Sequence, residues 1–491
     1  MIRWFAPLLA LALPAAALGQ VIGLKTVPVA AGDQYLIAPS QNLGMGGVSI
    51  ALDDPLLDPF VNPARGSRVP ASQVFALPTF YSVSGNAGNG KTVSAGSLFA
   101  GRAFGGVMLS LQQISSGDPF FGPVALRDLA GTAPFVTGGT LSDQSATNKY
   151  AFLSMGYVTA GGLAVAGSAF LSDLNGIDGV EHLYAMAADI DESGHDVDLR
   201  LGALKDLGQG ASLEGVLVHR RYAVTHNVTY LDFVFDSTTF QWNQQIRLER
   251  NDDKTNTTGL HVRYVRPVGT SGWRVGGILT GNRKSHPKIP NYELVNIPRD
   301  PGHSTAFDFG IGLARTAGAT TFGVDVIYEP AWSDTWATAA GPTATAGGDT
   351  IPVGGRTVEN AFSFSNAAVS MGVGHAVGQA TFQLGLSVRA YDYDLEQRDL
   401  VANSFRQQSE QWMEWTPSWG ARVDLPGVSL RYLGRVTTGT GRPGVAWGGA
   451  VPTRAADFAQ ANDIVVAPSG PLTLQDVSVV THQISVSVPI R

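Results

Sequence analysis

The residues of this sequence best suited to chemistry are two adjacent carboxylates, Asp53 and Asp54. The unit around them has a glycine cluster before the pair and a proline turn after it: Gly44, Gly46, Gly47, Asn62, Pro63 and Ala64. Glycine permits positive φ and close backbone approach, and proline prevents a helix from continuing. The pattern predicts a compact, turn-rich unit whose carboxylates pair with arginines elsewhere in the chain.

A second acidic group follows the residue order of calcium-binding loops: Asp189, Asp191, Ser193 and Asp196. The twelfth position is Arg200, where an EF-hand needs a bidentate glutamate, so an EF-hand is excluded. Two interpretations stay open, a weaker Ca²⁺ site in a surface loop and a solvated acidic loop without metal.

Catalytic motifs are missing from the sequence. The chain has no cysteine, no serine in a G-x-S-x-G context and nine scattered histidines without H-E-x-x-H spacing. Gly439-x-Gly441-x-x-Gly444 matches a dinucleotide fingerprint by letters, but Pro443 and the absence of a following helical pattern predict a loop. We therefore expect a protein that is not an enzyme and has no cofactor.

The composition favours a membrane β-barrel. Hydrophobic residues make up 44% of the 491 residues and charged residues 15%, against about 25% charged in a typical soluble domain. Beyond the N-terminus no run of ~20 apolar residues predicts a membrane helix. A net charge of −7 gives no electrostatic reason for a nucleic-acid partner.

The N-terminus has the pattern of a signal peptide. Arg3 supplies the positive charge, residues 7–17 form an apolar stretch, and Ala17-Leu18-Gly19 offers small residues at the cleavage positions. We predict a signal peptide over residues 1–19, cleaved before Gln20. Export across the inner membrane of a two-membraned bacterium follows.

From about residue 72 the chain alternates apolar and polar residues in segments of roughly ten, as in Phe307, Phe309, Ile311 and Leu313. Counting these segments gives sixteen strands. If the apolar face contacts lipid, the charged residues opposite it must line the lumen, because a charge facing mid-bilayer costs a few kcal/mol. These charged residues are Asp198, Arg200, Arg263, Asp308, Arg389, Arg431 and Arg435.

The breaks between strands alternate between short turns and long polar connections, the pattern of outer-membrane barrels. The long connections are predicted at 115–146, 173–195, 226–256, 284–303, 331–357, 391–412 and 438–473. Aromatic residues near their ends are predicted to form interface girdles, with ordinary core packing as the alternative. These aromatics are Phe80, Tyr81, Trp332, Trp336, Tyr391, Tyr393, Trp412, Trp415 and Trp419.

The pattern LGMGG-x-x-x-A-x-D-D-x(7)-NPA resembles the N-terminal signature of the FadL-type outer-membrane transporter superfamily. The preceding Leu36-Ile37-Ala38-Pro39 is similar to the PorV/PorQ branch. The resemblance implies a plug, here residues 20–71, inside a transmembrane antiparallel β-barrel of about fourteen strands, here residues 72–491. Fourteen is the preferred number, and sixteen stays open.

The resemblance implies passive uptake of a hydrophobic small molecule, such as a long-chain fatty acid or a hydrocarbon, across the outer membrane. The alternative is a PorV-like barrel that docks or shuttles secreted proteins. Expected partners are outer-membrane lipids, the hydrophobic ligand and the barrel-assembly machinery. The last strand, with Ile484, Val486, Val488 and Ile490 on one face, is similar to the segment that this machinery recognises.

Overall fold

The structure is a computed structural model that describes residues 20–116, 145–180, 187–236, 238–286, 302–339, 341–443 and 474–490. The predicted signal peptide lies outside the described residues. The alternating segments form strands because period-two alternation gives a pleated strand two chemically distinct faces.

The first nine strands are β1 (Gln73–Val83), β2 (Gly88–Phe99), β3 (Ala103–Ser116), β4 (Ser145–Val158), β5 (Leu163–Leu174), β6 (Ala187–Gly208), β7 (Ala211–Asp236), β8 (Gln241–Val268) and β9 (Trp273–Ser285). The next nine are β10 (Gly302–Ala317), β11 (Thr320–Thr338), β12 (Thr343–Ala344), β13 (Thr350–Ile351), β14 (Arg356–Val377), β15 (Ala380–Asp399), β16 (Ser404–Leu425), β17 (Val428–Pro443) and β18 (Leu474–Pro489).

Sixteen of these strands, counted over the described ranges, close into one antiparallel barrel. Each pairs with its neighbours along the chain, β14 follows β11 in the sheet, and β1 pairs with β18 to close it. The short strands β12 and β13 form a separate hairpin. The count of sixteen from the alternating segments is confirmed, and the preferred number of fourteen was two too few.

The two faces of the barrel wall differ in polarity. On β15, Phe382 and Leu384 point outward and are 58% and 64% exposed, whereas Ser387 and Arg389 point inward and are buried. A closed barrel satisfies its backbone groups between strands, and an apolar exterior matches lipid. This construction spans a bilayer and is that of bacterial outer-membrane barrels.

The strands are longer than a membrane requires. β7 has 26 residues and β8 has 28, whereas a crossing takes about 9–11. Much of the predicted connections 173–195, 226–256 and 391–412 is therefore paired strand rather than loop. Sequence polarity suggested loops there because the outward side chains meet water, but backbone pairing continues regardless of side-chain polarity.

Residues 20–72 precede the barrel and pack against the inner face of its wall. They contain a 3-10 turn at Leu43–Met45, a helix α1 at Asp58–Val61 and a 3-10 helix at Pro63–Arg68. Phe60 of α1 is fully buried, with its ring 4.6 Å from that of Phe152 on β4 and 6.2 Å from that of Phe75 on β1.

Within the described residues, no helix combines the length and the apolar character needed to cross a membrane.

Candidate functional site

The glycine cluster brings the N-terminal segment into direct backbone contact with the wall. Gly46 has φ of 72°, and a Cβ at this position would lie 2.7 Å from the carbonyl oxygen of Met371 and 2.8 Å from that of Leu386. Its N–H donates a hydrogen bond of 3.0 Å to Ser418 Oγ on β16. Gly47 has a similar φ of 75° but faces open space. Only glycine fits at Gly46 without displacing either backbone.

The wall contributes its own glycines at this contact, which sequence reasoning missed. Gly372 on β14 and Gly385 on β15 are register partners. A Cβ on Gly372 would lie 2.2 Å from the carbonyl oxygen of Met45, and one on Gly385 would lie 2.0 Å from the N–H nitrogen of Gly46. Glycines at inward positions of adjacent strands were the available signal, because a strand interior disfavours glycine unless another backbone approaches.

The two carboxylates of the acidic pair have different partners. Asp53 accepts hydrogen bonds from Arg263 Nη2 at 3.2 Å and Arg274 Nη1 at 3.0 Å, and it also contacts Arg65. Asp54 instead accepts backbone N–H groups of its own segment, at 2.8 Å from Gln41 and also from Asn42, Leu56 and Leu57. Asp53 therefore ties the segment to the wall, and Asp54 holds the segment's own turns.

Arg263 on β8 is the centre of this attachment. Its guanidinium donates to the carbonyl oxygens of Ile50 at 2.8 Å, Ser49 at 3.1 Å and Leu52 at 3.1 Å, and to Glu214 on β7 at 2.6 Å. The side chain is 5% exposed. A planar donor group with five N–H bonds suits several acceptors at once.

The crowding of charged side chains shifts the pKa values of Asp53 and Arg65. Burial alone would raise the pKa of Asp53, but the guanidinium groups of Arg65 and Arg263 outweigh burial and hold that pKa below its ordinary value. Burial alone would lower the pKa of Arg65, but the carboxylates of Asp58 and Glu214 outweigh it and raise that pKa. Asp53 and Arg65 are therefore both ionised at neutral pH, whereas burial raises the pKa of Asp58 to about 7.

The Asn62-Pro63-Ala64 turn attaches the N-terminal segment to β6 and β7 of the wall. Asn62 Oδ1 accepts the N–H of Ala64 at 3.0 Å, which caps the 3-10 helix, and Asn62 Nδ2 donates to Glu214 at 2.7 Å. A Cβ on Gly202 of β6 would lie 2.1 Å from Asn62 Oδ1. The turn thus fits against a wall glycine as the Gly46 turn does.

The charged strand residues predicted for the lumen all lie on inward positions. Arg200 donates to Asp198 at 2.7 Å and to the carbonyl oxygen of Val61 at 2.8 Å. Arg435 donates from Nε to Asp33 of the N-terminal segment at 2.7 Å. The remaining members are Arg263, described above, Arg389, which pairs with Glu329, Arg431, which donates to Ser487 at 2.8 Å, and Asp308, which is half-buried.

The acidic group considered for calcium is not a loop. Asp189, Asp191 and Ser193 lie along β6, and Asp196 points inward and pairs with Arg220 at 2.7 Å. An extended strand spreads these oxygens apart instead of wrapping them around an ion. In the parts of the chain that the structure describes, no group of three or more histidine, aspartate and glutamate side chains is placed to hold a metal ion.

The glycines of the apparent dinucleotide fingerprint were wrongly predicted to form a loop. Gly439 and Gly441 lie on β17, and Gly444 lies outside the described residues. Gly439 has φ of 82° and sits where the pairing of β17 with β18 shifts register. A glycine with positive φ is typical of such a bulge.

An aromatic cluster lines the inner wall near the end of the barrel where the long strands extend beyond the membrane. We call this end the long-strand end. Its wall residues are Ala306, Ala331, Phe362, Phe364, Tyr393, Leu395 and Trp412. Ile22 and Leu24 of the N-terminal segment pack into it, and Ile22 is 4% exposed. We call these wall residues the upper cluster.

The upper cluster corrects part of the predicted girdle. Phe80, Trp332 and Trp415 face outward and are 44%, 51% and 40% exposed, as interface residues would be. Tyr391 and Tyr393 are buried inside the barrel, and the ring of Trp412 stacks 4.7 Å from that of Tyr391. The outward residues alternating with these two tyrosines are acidic, so this part of β15 lies beyond the membrane and its inner face is the apolar one.

Comparisons with known proteins give likeness in fold alone. No protein-family model matches the chain, and no curated protein matches it. Among solved structures it is similar to a FadL homologue of Pseudomonas aeruginosa, at 12% identity and TM-score 0.43, covering 94% of this chain and 100% of that one. It is also similar to the Pseudomonas putida toluene transporter TodX, at 10% identity and TM-score 0.39, covering 96% and 100%. A bacterial polysaccharide outer-membrane secretin is similar at 6% identity and TM-score 0.36, covering 86% and 99%.

Proposed function

We propose that this barrel mediates passive uptake of hydrophobic small molecules of the fatty-acid or hydrocarbon class, with residues 20–71 as a plug. The observation that carries the proposal is the upper cluster: an aromatic site inside the barrel, filled by two apolar side chains of the chain's own N-terminal segment. A site that accommodates Ile22 and Leu24 offers a solute of similar chemistry the same contacts.

Apolar contact supplies the affinity in this proposal. The charges bordering the upper cluster are paired, Lys25 with Glu414 and Arg389 with Glu329. Phe362, Phe364 and Tyr393 have ring centroids 5.8–6.2 Å from one another, a spacing that suits aromatic packing. A chain or ring of hydrocarbon entering this cluster gains the burial that Ile22 and Leu24 now have.

Uptake further requires the plug to have two states, because a solute shifts an equilibrium only by its difference in affinity between them. In the state described here, Ile22 and Leu24 occupy the upper cluster, and the hydrogen bonds of Arg263 hold residues 49–53 to the wall. A solute that replaces Ile22 and Leu24 removes one of these two attachments. The plug keeps the hydrogen bonds of Arg263 and its other wall contacts but has lost its apolar one, which shifts the equilibrium towards release.

Two substitutions with opposite expected signs test this site. Ile22→Ala weakens the internal competitor, so we expect tighter binding of a radiolabelled long-chain alkane to the purified barrel. Phe364→Ala removes part of the wall, so we expect weaker binding, by roughly tenfold or more given the usual cost of truncating a buried aromatic. Val353→Ala, on a side chain 64% exposed, is the control and should leave binding unchanged. Unchanged binding in both site variants would count against the proposal.

The docking alternative has one observation in its favour. On β8, Ile246 and Leu248 are 64% and 78% exposed, and Leu248 lies about 40 Å along the strand from Leu260 in the apolar band. Apolar side chains so far beyond the membrane suit a protein partner. Loss of a co-purifying surface protein from an Ile246→Ser, Leu248→Ser variant that still takes up alkane would favour docking as an additional role.

A further inference from the structure

The outer face of the barrel changes from apolar to cationic within one row of side chains on β7, β8 and β9. Leu217 on β7 pairs in register with Leu260 on β8, which pairs with Gly281 on β9. Both leucines are at least half exposed on the outer face. Towards the long-strand end, the two rows that follow this one are polar.

The next two rows carry cations and hydrogen-bond donors. His219, Thr258 and Arg283 form the first of them, in direct register. Arg221 and Asn256 form the second. We call these five residues the rim patch.

Trp332 marks the level of the rim patch relative to the membrane. Arg283 pairs in register with Thr305 on β10, and Thr305 pairs with Trp332 on β11, which faces outward and is 51% exposed. Tryptophan prefers the membrane–water interface. The rim patch therefore lies at the height of the lipid headgroups, at the end of the barrel with the long strands, which is the cell-surface end.

The two arginines of the rim patch have no partner among the residues that the structure describes. In the described part of the chain, neither Arg221 nor Arg283 takes part in an ion pair or a side-chain hydrogen bond, and both are exposed. A nearby exposed cation differs: Lys254 on β8 pairs with Asp252 at 3.2 Å. Among the described residues, no side chain neutralises Arg221 or Arg283, and both guanidinium groups face outward.

We propose that the rim patch binds the phosphate groups of a phosphorylated lipid of the outer leaflet. A guanidinium matches phosphate oxygens with two parallel N–H bonds. Arg221 and Arg283 stand two strands apart and two residues apart along the strand direction, about 12 Å from each other, so they reach separate phosphates of one large headgroup or of neighbouring lipids. Thr258 and Asn256, on the strand between them, add a hydroxyl and an amide.

The test uses the full-length barrel in phosphatidylcholine nanodiscs titrated with bisphosphorylated lipid A, with bound lipid counted by native mass spectrometry. For the Arg221→Gln, Arg283→Gln variant we expect affinity weaker by roughly thirtyfold, from the usual contribution of two basic residues at an anionic lipid surface. Arg266→Gln is the matched control, because Arg266 is exposed on the outer face of β8 but lies towards the short-turn end. It should bind as the unsubstituted barrel does.

Four results would overturn the proposal. Two concern the variants: unchanged affinity in the double variant, and equal loss in the Arg266→Gln control. Two concern the ligand: equal binding of lipid A stripped of its phosphates, and displacement of lipid A by inorganic phosphate at matched phosphate concentration, which would indicate a free-anion site. Heat-shifted migration on gels, which reports a closed barrel, confirms that each variant is folded before it is compared.

Discussion

Substituting Gly46 and Gly47 separately tests how tightly the N-terminal segment is seated against the wall. Both residues have φ near 75°, so alanine at either position costs about 1 kcal/mol of backbone strain. The two differ in surroundings: a Cβ at Gly46 meets two wall carbonyl oxygens within 2.8 Å, and one at Gly47 meets nothing within 4 Å. Gly47→Ala is therefore the control for strain.

The additional clash at Gly46 is of the size that overpacking usually produces, about 2 kcal/mol. It arises only when the segment is docked, since the undocked segment is free of the wall. Gly46→Ala should therefore raise the undocked fraction roughly thirtyfold relative to Gly47→Ala. Substitution with valine at Gly46 should disturb docking further.

Amide hydrogen exchange of a peptide covering residues 40–53, followed by mass spectrometry in nanodiscs, measures that fraction. Peptides from β15 serve as an internal reference for the barrel itself. Equal exchange in Gly46→Ala and Gly47→Ala would refute the close contact with Met371 and Leu386.

Three further predictions concern the docking of the N-terminal segment against the wall. Arg263→Met removes three charged hydrogen bonds to carbonyl oxygens of the segment and one of the two guanidinium partners of Glu214, so it should weaken docking by about 3 kcal/mol in the exchange assay, whereas Arg266→Met on the outer face should not. Because the arginines hold the pKa of Asp53 below its ordinary 3.8, its ionised form stabilises docking above that pH and this contribution is lost as pH falls below it, so Asp53→Asn should remove this part of the pH dependence of exchange. Gly385→Ala should release the segment as Gly46→Ala does, and normal exchange in that variant would argue against backbone contact with the wall.

Much of the barrel was predictable from the sequence, because period-two alternation depends on single residues and their neighbours. The segment 305–313 lies within β10 and 381–390 within β15, with the apolar side outward in both. Counting such segments gave sixteen strands, whereas the resemblance favoured fourteen. The local pattern was the better guide to strand number.

Side-chain polarity gave wrong loop predictions where the strands extend beyond the membrane. Residues 391–399 read as a loop because Asp392, Asp394 and Glu396 are acidic, yet they continue β15 with their side chains in water. At the same height the inner face changes from polar to apolar, so Tyr393 lies inside the barrel. Sequence alternation shows two faces but does not show which one meets water.

The contacts of the N-terminal segment were only partly predictable. Asp53 was expected to meet arginines and lies among several, but the same expectation for Asp54 overlooked a role in holding local turns. Gly372 and Gly385 indicated only that some backbone approaches the wall there, because the approaching residues lie more than three hundred positions away in sequence. Such pairs become visible only when the chain is folded.

The central claim is that the plug must leave the wall for a solute to pass, and a reversible cross-link tests it most directly. The chain has no cysteine, so Ser49→Cys with Asp325→Cys introduces one pair, at a place where the Ser49 N–H now donates to Asp325 at 2.6 Å. Uptake of radiolabelled alkane into proteoliposomes is then measured before and after reduction. We predict that the oxidised barrel is closed and that reduction restores uptake; equal uptake in both states would contradict the account.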